Sequence, residues 1–99
     1  MYKIVRKKQL NSQMTLMNIE APFVAKKAQA GQFIMLRVNE TGERIPLTIA
    51  DYDREAGWVQ IIFQKIGKTT MLLDTLNEGD PFINLILHTL RQHIFGFFQ

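Results

Sequence analysis

The run Gly67-Lys68-Thr69-Thr70 stands directly before Met71, Leu72, Leu73 and Leu76, apolar residues that recur at helical spacing. A glycine lets backbone approach a ligand closely. The first N–H groups of a helix have no acceptor within it, and the helix dipole favours negative charge beside them. A threonine hydroxyl and Lys68 add further donors. These are the parts of a phosphate cradle, and they are also the parts of a plain helix cap, with Thr69 or Thr70 satisfying the helix start. A second block is Arg44-Ile45-Pro46-Leu47-Thr48-Ile49-Ala50. Pro46 inside a strand-like run implies an edge or a break in pairing, because proline offers no N–H to the ladder. Backbone freed by such a break can meet a planar heterocycle, while Arg44 pairs with phosphate and Thr48 donates a hydrogen bond. The plainer reading of the same block is an edge strand with a surface arginine.

Other chemistry is thinly provided. His88 and His93 are the only 2 histidines, and the segment around them offers too few further ligands for a metal site. Ser12 is the only serine and has no Gly-x-Ser-x-Gly elbow around it. No Gly-x-Gly-x-x-Gly or Gly-x-x-x-x-Gly-Lys loop is present. The absence of cysteine removes disulfides, thiol nucleophiles, zinc–thiolate sites and cysteine-ligated clusters. No residue is assigned as a general acid, general base or metal ligand.

The elements that must position the two blocks are short strands and one helix. Tyr2, Ile4 and Arg6 alternate weakly with Lys3, Val5 and Lys7, and Asn11-Ser12 ends that run. Met14, Leu16 and Asn18 alternate with Thr15, Met17 and Ile19 until Ala21-Pro22 closes the segment, and residues 24–30 read as a connection. Strands are expected over Gln32 to Val38, Ile45 to Tyr52 and Trp58 to Gln64, with turns at Asn39 to Glu43 and Asp53 to Gly57. In the last strand Val59, Ile61 and Phe63 share one face. A helix starts near Thr69 or Thr70, and Asn77-Glu78-Gly79-Asp80 ends it. The expectation is a mostly β, small antiparallel barrel with one α-helix.

With 99 residues the chain makes one core. The net charge of +3 arises from 12 basic and 9 acidic residues, and Lys3, Arg6, Lys7, Lys8, Lys26 and Lys27 carry much of the excess. Mixed surface charge of this kind makes nucleic acid an unlikely partner. No apolar run reaches the roughly 18–20 residues of a membrane span, so a cytoplasmic location is expected and no membrane contact.

Four blocks in this order carry a family resemblance: "AQAGQFIMLRV" (28–38), "ERIPLTIADYD" (43–53), "IIFQKIGKTTMLL" (61–73) and "LNEGD" (76–80). Together they resemble the FAD-binding Greek-key barrel of the ferredoxin reductase superfamily. More narrowly, the chain is similar to the small electron-transfer subunit of ferredoxin:NADP oxidoreductases of the sulfide dehydrogenase type, kin to the dihydroorotate dehydrogenase electron-transfer subunit. The resemblance implies FAD as cofactor, with Pro46, Leu47 and Thr48 beside the isoalloxazine and ribityl chain. It implies the pyrophosphate at Gly67, Lys68, Thr69 and Thr70, with Arg44 as a phosphate partner. It also implies a larger iron–sulfur flavoprotein subunit as partner and electron flow between NAD(P)H and ferredoxin or another iron–sulfur centre.

Two features depart from the family. Its commonest motif places arginine three residues before the Ser/Thr, where this chain has Ile45; Arg44 comes one step earlier. Neighbours on a strand face opposite ways, so a phosphate role for Arg44 calls for a bulge to re-aim it. After Asp80 the family continues into a Gly-Pro-rich turn and a nucleotide-binding domain, whereas 82–99 reads "FINLILHTLRQHIFGFFQ". The domain division is therefore a barrel over 1–81 and an apolar tail over 82–99, which either completes the barrel or makes an oligomer contact. An isolated module of this kind is expected to hold FAD partially or not at all, and to be inactive as an NAD(P)H-dependent oxidoreductase. The alternative is a flavin-free barrel of the oligonucleotide-binding type, with Tyr2, Trp58 and Phe63 as stacking residues.

Overall fold

The computed structural model describes residues 2–29, 32–37, 44–82 and 84–88. Their order is β1 (Tyr2–Gln9), β2 (Met14–Glu20), α1 (Pro22–Lys27), β3 (Phe33–Arg37), β4 (Ile45–Asp53), β5 (Trp58–Gln64), α2 (Lys68–Asp74), β6 (Pro81–Phe82) and β7 (Asn84–His88). The turn expected at Asn39 to Glu43 and the tail beyond His88, His93 included, lie outside the described residues.

The strands run in the order β6-β1-β2-β5-β4-β3-β7, and every neighbouring pair is antiparallel. Strands β3, β4 and β5 form a meander, and β2 returns beside β5, which is Greek-key topology. β6 and β7 lie one residue apart in the chain but at opposite ends of the strand order. β6 adds to the β1 edge at Tyr2 and Lys3 and β7 covers β3, so the two ends of the strand order belong to neighbouring chain segments, as in a barrel.

Alternation fills the interior. Met17 and Ile19 of β2, Ile34 and Leu36 of β3, and Val59 and Ile61 of β5 are fully buried. Each such aliphatic side chain stabilises the fold by roughly 1.5–3 kcal/mol on leaving water. β1 breaks the simple period: its pairing with β2 shifts register between Ile4 and Arg6, so Ile4 is buried and Lys7, opposite Met17, is half-buried. Asn11 closes the β1–β2 turn with its own side chain, its Oδ1 accepting from the N–H groups of Gln13 at 2.8 Å and Met14 at 2.9 Å.

The two ends of the β2–β5 pair are plugged differently. At the Glu20–Trp58 end sits α1, a six-residue helix where the sequence pattern gave only a connection. It is too short to show periodicity or to stand alone. Pro22 preorganises its first turn, Lys26 and Lys27 suit its last, and Ala25 packs into the core. At the Met14–Gln64 end sits α2, which buries Leu73. α2 stops at Asp74, earlier than the Asn77–Asp80 signal, which instead forms a separate turn with Gly79 at φ 93° and its N–H bonded to the Ile4 carbonyl at 2.7 Å.

Candidate functional site

β4 changes character midway. From Ile45 to Thr48 it pairs with β3, and its pairing with β5 begins only at Ile49, opposite Ile61. The Ile49 N–H bonds the Gln32 carbonyl at 3.1 Å, on the β3 side. Backbone groups of alternate residues point to opposite sides of a strand. Pro46 and Thr48 therefore turn theirs toward the side where β5 is not paired with them. The missing N–H of Pro46 costs no ladder bond there, which is why proline is tolerated inside this strand.

The side chains of the same stretch also alternate. Arg44, Pro46 and Thr48 are exposed, whereas Ile45 and Leu47 are half-buried and Leu47 packs against the core. Leu47 thus belongs to the wall beneath the site and not to its open face. The β3–β4 register is regular from Phe33–Thr48 to Leu36–Ile45, so no bulge re-aims Arg44. None is needed: Arg44 lies four residues before Thr48, and even spacing puts both on one face with Pro46. The position three before Thr48 belongs to the inward-facing Ile45.

The loop into α2 lies at the same end of the β4–β5 pair. Ile49–Ile61 is the last pair before β4 leaves β5, and β5 runs on through Ile62 and Phe63 to Gln64, three residues short of Gly67. Gly67 has φ −126° and ψ 170°, extended backbone open to any residue. A Cβ there would meet only the Thr70 Oγ1, at 3.9 Å. Nothing inside the fold requires glycine at 67, and the space a side chain would fill is open.

The threonines are less available than the sequence implies. Thr70 Oγ1 accepts from the Gly67 N–H at 2.9 Å and the Ile66 N–H at 3.2 Å, and donates its proton to the Gly67 carbonyl at 3.0 Å. Thr69 is buried. The Thr70 hydroxyl thus shapes the loop, and the exposed donor beside it is the Lys68 side chain in the first turn of α2.

A polar clamp fixes the far end of α2. Lys7 Nζ donates to the carbonyls of Asp74 and of Leu76, the latter at 2.8 Å. The buried Thr15 hydroxyl donates to Asp74 Oδ1 at 2.6 Å, and Lys65 Nζ lies 3.5 Å from Asp74 Oδ2. A carboxylate at a helix C-terminus opposes the dipole, so these donors are what make Asp74 favourable there. Sequence reading missed this clamp, because its members are scattered and only the barrel register brings Lys7, Thr15 and Asp74 together. It also missed Arg37, at the end of β3, whose Nε is buried without a partner among the described residues.

His88 lies in β7 opposite Phe33, and no group of three or more potential metal ligands occurs among the described residues. Phe63, a stacking candidate of the oligonucleotide-binding alternative, is 2% exposed because it faces the barrel interior. No helix among the described residues is long and apolar enough to cross a membrane.

No family model matches the chain. It is 60% identical over 80 residues to an uncharacterized protein in the adh 3′ region of Clostridium beijerinckii, covering 81% of this chain. It is 38% identical over 84 residues, 85% of its length, to a dihydroorotate dehydrogenase B (NAD(+)) electron transfer subunit homolog of Thermotoga maritima. The chain spans 27% and 30% of the lengths of these two relatives. Among solved structures it superposes on an NADH-dependent reduced ferredoxin-NADP oxidoreductase with a TM-score of 0.84 and 37% identity, over 87% of this chain and 32% of that one. Fold and sequence together define a barrel of the ferredoxin reductase type. Within that class the chain is related to the dihydroorotate dehydrogenase electron-transfer subunits.

Proposed function

We propose that this chain is the flavin-holding barrel of an NAD(P)H-linked electron-transfer subunit, and that FAD lies across the exposed face of Arg44, Pro46 and Thr48 toward the Gly67 loop. The observation that carries the reading is the half-paired stretch of β4: its backbone is free on one side at the point where Arg44, Pro46 and Thr48 share an open face. The residues suit a phosphorylated planar ring. Backbone at Pro46 and Thr48 meets the heterocycle, Leu47 supports that stretch from the core, and Arg44, Lys68 and the first-turn N–H groups of α2 attract phosphate. Thr69 and Thr70 hold the loop in shape. Bound flavin would supply hydride acceptance and single-electron release; the protein supplies position and electrostatics.

The full electron path requires more than this chain. A nicotinamide site and a larger iron–sulfur flavoprotein partner belong to the same reading, with electrons passing between NAD(P)H and ferredoxin or another iron–sulfur acceptor. The 82–99 tail, whose first residues enter β6 and β7, is the proposed route to self-association. The 99-residue chain alone is expected to bind FAD weakly and to leave NAD(P)H unoxidised.

The test is an FAD titration followed by flavin fluorescence, on the wild-type chain and on Gly67→Val. Wild type should saturate. The valine variant should bind much more weakly while melting only slightly lower, because the added side chain meets open space in the fold and valine is merely a poorer helix cap than glycine. Equal affinity in both would reduce the Gly67 loop to a helix cap.

A further inference from the structure

The β3–β4 ladder brings a second arginine beside Arg44. The final pair is Leu36 with Ile45; Arg37 is the last residue of β3 and Arg44 immediately precedes β4, so extending the register by one step places them across from each other. Both fall on the outer face, since Ile34 and Leu36 turn inward and are fully buried while Arg44 is exposed. Like charges directly opposite one another weaken a strand pair. Arg37 bears a second cost: its Nε is buried and has no hydrogen-bond partner among the described residues. Among the described residues neither arginine has an acidic partner, since both ion pairs there use Asp74 at the other end of α2.

We propose that Arg37 and Arg44 form a two-guanidinium clamp for a diphosphate, one arginine from each strand, and that Arg37 is a ligand-binding residue. The clamp rests on the flavin-dinucleotide reading for the identity of its ligand. An anion between the two groups removes their repulsion and gives the Arg37 Nε its acceptor. The planar forks of two guanidinium groups match phosphate oxygens bidentately, which a single lysine cannot do. Opposed residues on antiparallel strands stand roughly 4.5–5.5 Å apart at Cα, close enough for both side chains to reach adjacent phosphates. The next outer rows of the ladder are Met35 with Pro46 and Phe33 with Thr48. The clamp therefore sits at the end of the face proposed for the ring, roughly 13 Å along the strand from Thr48.

The experiment is calorimetric titration of inorganic pyrophosphate and, separately, of FAD into the wild-type chain, Arg37→Gln and Arg37→Lys, with melting temperatures of the ligand-free proteins. Wild type should bind both ligands. Arg37→Gln should lose about tenfold or more in affinity for each, the scale of a charge-assisted hydrogen bond, and Arg37→Lys should fall between. Ligand-free Arg37→Gln should melt no lower than wild type, since it loses a repulsion and an unmet donor. Undiminished pyrophosphate and FAD binding by Arg37→Gln, or no pyrophosphate binding by wild type, would overturn the clamp. A lowered ligand-free melting temperature would also overturn it, by making Arg37 structural. Arg37-dependent pyrophosphate binding without any FAD binding would keep the clamp and remove the flavin. FAD binding indifferent to Arg37 would keep the flavin and remove the clamp.

Discussion

The two halves of β4 obey different rules although they form one continuous strand. From Ile49 to Asp53 it is paired with β5, Ile49 is buried, and Tyr52 packs against the core. From Ile45 to Thr48 it is paired with β3 alone and shows an arginine, a proline and a threonine to the outside. Each half is paired on one side, with β5 over Ile49–Asp53 and with β3 over Ile45–Thr48. The first turns Ile49 and Tyr52 to packing, whereas the second sets a polar outer face beside its unpaired backbone. The changeover between the two partners falls at Ile49.

The sharpest way to break that contrast is in the packed half. Ile61, opposite Ile49, is fully buried, and Ile61→Ala should destabilise the chain by about 2–5 kcal/mol in urea denaturation. A cost below about 1 kcal/mol would mean that the interior at this pair is not close-packed. Next in size is the clamp on α2. Asp74→Ala removes the acceptor of the buried Thr15 hydroxyl and the ion-pair partner of Lys65 and Lys7, while the carbonyls that hold Lys7 remain, and should cost about 1–3 kcal/mol by the same measurement. Smallest is the open half. Thr48→Val keeps a β-branched residue on an exposed strand position, so stability should stay within about 0.5 kcal/mol while FAD affinity falls. If Thr48→Val instead unfolds the chain, the two halves of β4 are alike.

The sequence made the packed half easy to see. Val59, Ile61 and Phe63 alternate cleanly because β5 pairs with β2 in unbroken register, and all three are buried. Pro46 announced the open half, since only an unpaired side accommodates a missing N–H. The four sequence blocks identified the superfamily before any geometry was known. What stayed hidden depends on register or on short range. The shift in β1 after Ile4 reverses which residues face inward, and nothing in its composition marks the position. α1 is shorter than two helical turns, so no period could reveal it. The shared face of Arg44 and Thr48 follows from even spacing, yet comparison with the commoner family motif drew attention to Ile45. Arg37 and the Lys7–Thr15–Asp74 clamp required the paired strands themselves.

Amide hydrogen exchange with and without FAD tests the contrast between the two halves most directly. Without ligand, the Thr48, Lys68 and Thr70 amides should exchange far faster than those of Val59 and Ile61, whose strand is paired on both sides. On adding FAD, protection should rise at Thr48, Lys68 and Thr70 and stay level across Trp58 to Phe63. Protection that rises evenly over the barrel, or that leaves Thr48 and the start of α2 untouched, would contradict a flavin seated on the open half of β4.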